Sequence, residues 1–550
     1  MNVLLRRPAL ALAGAAIVLM LPSLLLGTMP SHSSMHNLTW AAQFSEQVRS
    51  GTLYPRWLAD SYLGLGAPSF YFYPPLGFWV DALLSVATFD GLSTSYRLSI
   101  TSALLLLASG FGMRAWLQQE GAGPTAALLG GIAYMAAPYH LADHYIRGAF
   151  AEFVAYTTLP FTLWALALVA RRHAAGPPAL ALCYAALVMS HLPTALLISL
   201  VAIPAYVLTV AWRVRDSDRW FLPRCAAGFA LGLGLAAVYL LPALTLQHAV
   251  SIDWLWEWGF KVEESFVAMP WLWDHTKAAP DMTVLICSIS AAWLLAMLAL
   301  LLARRTENTR SARLWMFVSL AAFILMSGLV PWFWTHVPLV SKVGFVWRLL
   351  IVVEFASVSA LCLAVWPIRE RLATRALVVA AVALVPGLMV LVLGIAGRIE
   401  YTAQGQPLQL QDAREYLPAG YPLRRNASYL DISLELVRDV PAIACLPAAR
   451  VCRGEPLGRG GMRIETDSDV PTTVVLRRFF FPAWQLSPAA PLAASAPLQL
   501  VSFTAPPGRH DWRLERAMLP EEKTGWTISG VSLALVLAWA LVSILVARRR

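Results

Sequence analysis

Long apolar runs alternate with short polar connections along most of the chain. Runs near residues 9–28, 98–117, 123–139, 150–170, 175–190, 192–212, 222–243, 280–303, 314–331, 346–366, 376–397 and 525–547 are each long enough for a helix to cross a hydrocarbon core of about 30 Å. The pattern predicts twelve spans, eleven of them in a multi-span domain over residues 1–397, although the 175–212 region admits another division. A thirteenth apolar stretch, 76–89, follows Pro74-Pro75 and contains Asp81. It is short for a span and suits a helix lying at the interface.

Residues 398–523 break the pattern. Arg463–Thr466, Thr472–Phe481, Leu498–Thr504 and His510–Arg516 are β-prone and partly alternating, separated by clusters such as Ala505-Pro506-Pro507-Gly508. A small β-sandwich is expected there, before a last helix at 525–547. Cys445 and Cys452 both fall in this region, and the spacing leaves open a disulfide or two free thiols. The fold class is thus a polytopic α-helical membrane protein with a small periplasmic β-rich domain.

Composition narrows the reading. Of 550 residues 58% are hydrophobic and 13% charged, with a net charge of +10. A soluble domain carries about a quarter charged residues, and disorder needs low hydrophobicity, so both classes are excluded. The charge has an address. If 76–89 does not cross, one side of the membrane receives nineteen arginines against five acids, from Arg6 and Arg7 through Arg171, Arg172, Arg213, Arg215, Arg219 and Arg224 to Arg548, Arg549 and Arg550. The positive-inside rule makes that side cytoplasmic, with both termini in the cytoplasm. The +10 is a topology signal and implies no nucleic-acid partner; membrane lipids are the expected partners.

On the other side lie a first loop of residues 28–97, short loops near 139–149 and 332–345, and a Trp-rich loop near 244–279. No Walker motif, G-x-G-x-x-G, H-E-x-x-H or C-x-x-C stands in a supporting context. Ionisable groups at a membrane face are costly to keep and are functional candidates for that reason. His32 and His36 would share a helix face at i, i+4 and suit a metal, a proton or a phosphate. Arg56, in Leu53-Tyr54-Pro55-Arg56-Trp57, suits bidentate contact with a phosphate, and Tyr71 and Tyr73 in the following aromatic run suit a sugar face or lipid chain. Asp143, His144, Arg147 and Glu152 crowd one short loop; a carboxylate beside imidazoles suits a general base or cation ligand, while an ion pair tying down the loop explains the same residues. His191 ends a predicted span. Arg348 opens one on the arginine-poor side and is a candidate phosphate ligand, with snorkelling as the alternative. Trp254, Trp256, Trp258, Trp271, Trp273, Trp332 and Trp334 suit interfacial anchors, or stacking on a sugar.

His36-Asn37-Leu38, Leu53-Tyr54-Pro55-Arg56-Trp57, Gly64-Leu65-Gly66, Tyr71-Phe72-Tyr73-Pro74-Pro75-Leu76 and Pro138-Tyr139 through Arg147-Gly148 to Glu152 resemble the bacterial membrane family labelled "6-pyruvoyl-tetrahydropterin synthase-related domain". The overall shape is similar to the GT-C glycosyltransferases, and Arg477-Arg478-Phe479-Phe480-Phe481-Pro482-Ala483-Trp484 resembles the terminal β-domain of related proteins. The resemblance implies transfer of a sugar from a polyprenyl-phosphate donor to an envelope acceptor at the outer face. An outer-loop acid would act as general base in an inverting displacement, with a divalent metal ion or basic residues steadying the phosphate. The pattern places an acid just after His32, where this chain has Ser33; His32, His36 and Asp143 are the candidate substitutes. Two functions stay open: a glycosyltransferase, or a non-catalytic protein that binds, moves or scaffolds lipid-linked glycans.

Overall fold

In hydrocarbon the backbone must satisfy its own hydrogen bonds, so apolar runs fold as helices. The computed structural model describes residues 7–28, 30–255, 262–266, 309–364, 412–422 and 439–548. Its main helices are α1 (Pro8–Leu26), α2 (Ser34–Arg49), α3 (Leu76–Ala87), α4 (Thr94–Gln119), α5 (Pro124–Met135), α6 (Phe150–Ala170), α7 (Gly176–Ser190), α8 (Leu192–Leu200), α9 (Ala202–Val214), α10 (Phe221–Thr245), α11 (Thr309–Met326), α12 (Leu350–Ala364) and α13 (Pro520–Arg548). Among the described residues, seven stretches are long and apolar enough to cross a membrane: Pro8–Leu26, Thr94–Gln119, Phe150–Ala170, Leu192–Val214, Phe221–Thr245, Val346–Ala364 and Pro520–Leu545.

The other five expected spans differ for separate reasons. Those at 280–303 and 376–397 lie outside the described residues. The expected 123–139 helix stops at Met135, because Pro138 holds Ala137 extended, with ψ at 134°. The 175–190 run folds as the 15-residue α7 and ends where His191 turns extended. The 314–331 run begins earlier, at Thr309, and takes in Arg310 and Arg313.

Helix α3 has 12 residues, about 18 Å of helix, which is too short to cross. It packs against α2 and α4. Its Asp81 is buried and accepts from Arg97 Nε at 2.9 Å, Ser45 Oγ at 3.0 Å and Thr101 Oγ1 at 3.3 Å, which accounts for an acid in an apolar helix. The helices pack in a chain: α13 on α10, α10 on α7, α7 on α6, α6 on α4, α4 on α1 and α5, and α12 on α11 and α5. Helices α4 and α5 meet through Gly110, Gly130 and Gly131, where a Cβ on Gly131 would come within 2.7 Å of Gly110 O.

The connections sort into two ends. At one, Arg171 donates to Gln119 O, Arg172 pairs with Asp218, Glu120 accepts from Tyr206 Oη at 2.8 Å, and Ser543 Oγ donates to Ala174 O at 3.0 Å. This is the arginine-bearing end. At the other, Thr28 N donates to Ser95 Oγ at 2.7 Å, and the first loop meets the β-domain.

That domain has two four-stranded antiparallel sheets. One orders β1 (Ile443–Leu446), β4 (Thr472–Phe479), β7 (Leu500–Ala505) and β6 (Ala493–Ser495); the other orders β2 (Val451–Pro456), β3 (Met462–Ser468), β8 (Gly508–Arg516) and β5 (Trp484–Ser487). The inner faces share one core, with Phe503 and Trp512 edge to face at 5.1 Å. Cys445 and Cys452 form a disulfide that joins β1 to β2, one strand from each sheet. The Arg477–Trp484 motif clamps the first loop: Phe479 N donates to Leu65 O at 2.9 Å, Trp57 packs on Trp484 at 5.0 Å, and Tyr71 on Phe481 at 4.7 Å.

Candidate functional site

The loop after α5 is fixed from three sides. Pro138 starts a short turn of helix, Pro138–Ala142, which runs into a single π-helical turn, Asp143–Arg147. Gly148 ends it at φ +58°, a conformation that suits glycine, and a Cβ there would strike Ser31. The first loop docks on this end: Asn37 Nδ2 donates to Gly148 O at 2.6 Å and Ser33 N to Arg147 O at 3.1 Å. From α12, buried Glu354 accepts from Tyr139 N at 2.7 Å and Tyr156 Oη at 2.8 Å. A π turn inside a helical loop often marks a functional site, because it re-aims the side chains.

The turn gathers charge from four elements. Arg147 Nη1 lies 2.5 Å from Asp143 Oδ1 and 2.8 Å from Glu152 Oε2 in the first turn of α6. The same nitrogen donates to Tyr139 Oη at 2.5 Å, and that hydroxyl donates to Glu152 Oε1 at 2.8 Å. Arg348, in the 3-10 turn before α12, brings Nε to 3.3 Å from Glu152 Oε2 and also donates to Val343 O. His191, at the break between α7 and α8, lies in electrostatic range of Arg348, Glu152 and Arg147, while its Nδ1 meets Thr194 Oγ1 at 2.7 Å. Tyr73 lies in range of Arg348, Glu415 and Glu152. Asp143 and Glu152 are 0% and 1% exposed. Burial and the nearby Glu152 carboxylate push the Asp143 carboxyl well above the usual carboxylate range.

Asp143 Oδ2 is buried with no hydrogen-bond partner, as are Asn37 Oδ1 and Ser31 Oγ. All three residues line a cavity of about 30 Å³, with His144, Gly148, Phe150 and Phe153, enough for one water. Among the described residues no three of His, Cys, Asp or Glu stand together as a metal site. The donor set in this cavity has one carboxylate, already opposite a guanidinium. That is too little negative charge for a divalent ion, and the cations beside it are Arg147 and Arg348.

The other sequence candidates separate from this cluster. His144 turns toward α1, with Nε2 3.0 Å from Ser23 Oγ, and burial pushes its pKa down to about 4. His32 is exposed and its backbone N donates to Ile146 O at 3.3 Å. His36 packs on Trp40 at 5.6 Å; burial pushes it down to about 4. Arg56 and Tyr71 belong to a second cluster: Arg56 Nε meets Glu522 Oε1 of α13 at 2.8 Å and Nη2 donates to Val238 O at 2.5 Å, while Tyr71 Oη donates to Glu522 Oε2 at 3.0 Å. Trp332 is 63% exposed, but Trp334 is buried and donates to Leu325 O; Trp256, Trp258, Trp271 and Trp273 lie outside the described residues.

Tyr139 joins the site unannounced by sequence. Asp412 and Glu415, in an ordinary polar stretch, lie beside the first loop, with Glu415 in electrostatic range of Tyr73. Asp412 accepts from Trp40 Nε1 at 2.9 Å and Ser69 Oγ at 3.2 Å, tying its segment to the first loop. Burial pushes Glu415 up to about 7. Only the bare presence of acids there could have flagged them.

These features define a multi-pass helical membrane protein whose β-domain clamps a first loop over a buried cluster of two carboxylates and two guanidiniums. No family model and no curated protein matches the chain. Among solved structures it is similar to the arabinofuranosyltransferase AftD from Mycobacteria, in two classes of one mutant, at 17% and 16% identity and TM-scores of 0.46 and 0.37. These cover 72% and 68% of this chain and 28% of the other, so this chain spans little more than a quarter of that protein's length. It is also similar to ArnT from Cupriavidus metallidurans bound to undecaprenyl phosphate, at 14% identity and TM-score 0.43, over 72% of each chain.

Proposed function

We propose that the chain is a GT-C-type glycosyltransferase that moves a sugar from a polyprenyl-phosphate donor to an envelope acceptor at the periplasmic face of a bacterial inner membrane. The observation that carries this reading is the buried meeting of Asp143, Glu152, Arg147 and Arg348, with one acceptor atom, Asp143 Oδ2, left over. The acceptor hydroxyl gives its proton to Asp143 Oδ2 as its oxygen bonds to the sugar's anomeric carbon. The bond from that carbon to phosphate oxygen breaks, and polyprenyl phosphate leaves with the electron pair. Burial beside the Glu152 carboxylate raises the Asp143 carboxyl, which makes its ionised form a stronger proton acceptor. In this reading Arg147 and Arg348 meet the phosphate charge as it grows. Glu152 holds both guanidiniums in place.

One observation favours a second reading, a non-catalytic protein that binds, translocates or scaffolds lipid-linked glycans. Each carboxylate in the cluster already faces a guanidinium, as in a purely structural network. The test is release of polyprenyl phosphate from a panel of radiolabelled polyprenyl-phosphate sugars, beginning with undecaprenyl carriers. The transferase reading expects release above background, lost in Asp143→Asn and Arg147→Ala while the variants still elute as folded protein. Background release across the panel sinks it in favour of the binding reading.

A further inference from the structure

At the arginine-bearing end the molecule holds a cavity of about 830 Å³ that the glycan chemistry does not use. Three chain segments build it: Arg172 after α6, residues 215–224 leading into α10, and Trp539 of α13. Ser543 Oγ ties α13 to this end through Ala174 O at 3.0 Å, so the third wall is fixed. Asp218, with its side chain 7% exposed, organises the floor. It accepts from Arg172 Nε at 3.1 Å, from Arg224 Nη2, and from Trp220 N at 3.2 Å. Two guanidiniums against one buried carboxylate leave the floor positive.

The rim adds more positive charge. Arg215 is 56% exposed, stacks over Trp212 at 4.3 Å, and among the described residues pairs only with the 91% exposed Asp216. Arg219 stands over Trp220 at 5.6 Å and has no ion pair among the described residues. The lining thus carries four arginines against two aspartates, with Trp220, Pro223 and Trp539 as the apolar wall. Trp220 is 60% exposed at the start of α10, where an aromatic ring marks the bilayer interface.

We propose that this cavity holds the phosphodiester headgroup of an anionic phospholipid of the cytoplasmic leaflet. A topology signal needs only arginines on the right side; it does not need a concavity walled by three segments, two of which bring their arginines to it. The shared chemistry is a phosphate, and free phosphate would meet the same guanidiniums. The tryptophan wall and the neighbouring surface of α10 and α13 favour a phosphate that carries acyl chains.

The test is lipid retention by the full-length protein in neutral detergent. Native mass spectrometry and thermal unfolding are read with added phosphatidylglycerol, cardiolipin, phosphatidylethanolamine and inorganic phosphate. Retention of the two anionic lipids, with a raised unfolding temperature, is expected. Arg215→Ala with Arg219→Ala lowers that retention on the order of tenfold, and Arg215→Lys with Arg219→Lys restores most of it, with sugar transfer unchanged in both. Arg172 and Arg224 are left alone because Asp218 depends on them. Equal retention by the alanine variant, or equal binding of phosphatidylethanolamine, overturns the proposal. Stabilisation by inorganic phosphate equal to that by the lipids overturns the lipid assignment.

Discussion

Arg56–Glu522 and Arg147–Glu152 are both buried arginine–carboxylate pairs with an N···O distance of 2.8 Å, yet they are built for different ends. Around Glu522 both carboxylate oxygens are occupied, Oε1 by Arg56 and Oε2 by Tyr71 Oη and Leu519 N, each of the latter at 3.0 Å. What is left over is the Tyr54 hydroxyl and a donor, Arg56 Nη1, over whose guanidinium the Tyr54 ring sits at 4.0 Å. Such a nitrogen does not give up its proton. The pair fastens the first loop to α13. Around Glu152 a second carboxylate and a second guanidinium join, and what is left over is an acceptor, Asp143 Oδ2, facing a cavity. An unused acceptor can take a proton. The contrast separates a fastening from a site by the type of group each leaves unpaired.

The largest expected effect comes from removing the central carboxylates. Glu152→Ala leaves Arg147 and Arg348 facing each other in a buried space, a loss of about 3–5 kcal/mol in unfolding free energy. Glu522→Ala falls at the lower end of that range, because one guanidinium is close and Arg516 stands off at 3.9 Å. Denaturant unfolding in detergent measures both. Transfer per folded molecule should vanish in the first variant and survive in the second; loss in both would erase the distinction between the clusters. A smaller effect is expected from replacing the fastening whole. Arg56→Met with Glu522→Leu should lie within about 1–2 kcal/mol of wild type, since an apolar pair can substitute for a buried ion pair. If the double variant is no more stable than Glu522→Ala, the pair does more than fasten.

How much of this was legible in the sequence depends on range. Spans such as 150–170 could be read directly, because apolar length is a local property. So could the strands over 472–481 and 510–516, where alternation is local too. The gathering of Asp143, Arg147 and Glu152 was visible for the same reason: ten residues contain all three. Arg348 was marked only by lying on the arginine-poor side, and its partner Glu152 is 196 positions away. Arg56 looked like a phosphate ligand because its partner, on the last helix, cannot be found by spacing. Sequence also gave no reason to stop a helix at Met135, since the constraint lies in Pro138 acting backward on Ala137. Asp412 and Glu415 were invisible because burial alone makes them unusual, and burial is a property of the fold.

The smallest expected effect tests His140, buried in the short turn that also carries Tyr139. His140 is 0% exposed, stacks on Tyr156 at 4.1 Å, and has Nδ1 3.1 Å from Tyr134 O. Burial pushes its pKa down to about 3, against 6.5 when solvated. Between those values the unfolded chain binds a proton that the folded chain refuses, so stability falls as pH falls, by up to about 1.4 kcal/mol per pH unit for one group. His144 and His36, each at about 4, add slope of the same sign. Glu415, raised to about 7, opposes them, because its folded carboxyl holds a proton that the unfolded one releases. His140→Phe keeps the stack on Tyr156 and gives up one hydrogen bond, about 1 kcal/mol at pH 7. Its loss of stability from pH 7 to pH 5 should be shallower than that of wild type. An unchanged slope in His140→Phe would mean that His140 takes up its proton within the folded protein, and the site would then be wetter than its packing implies.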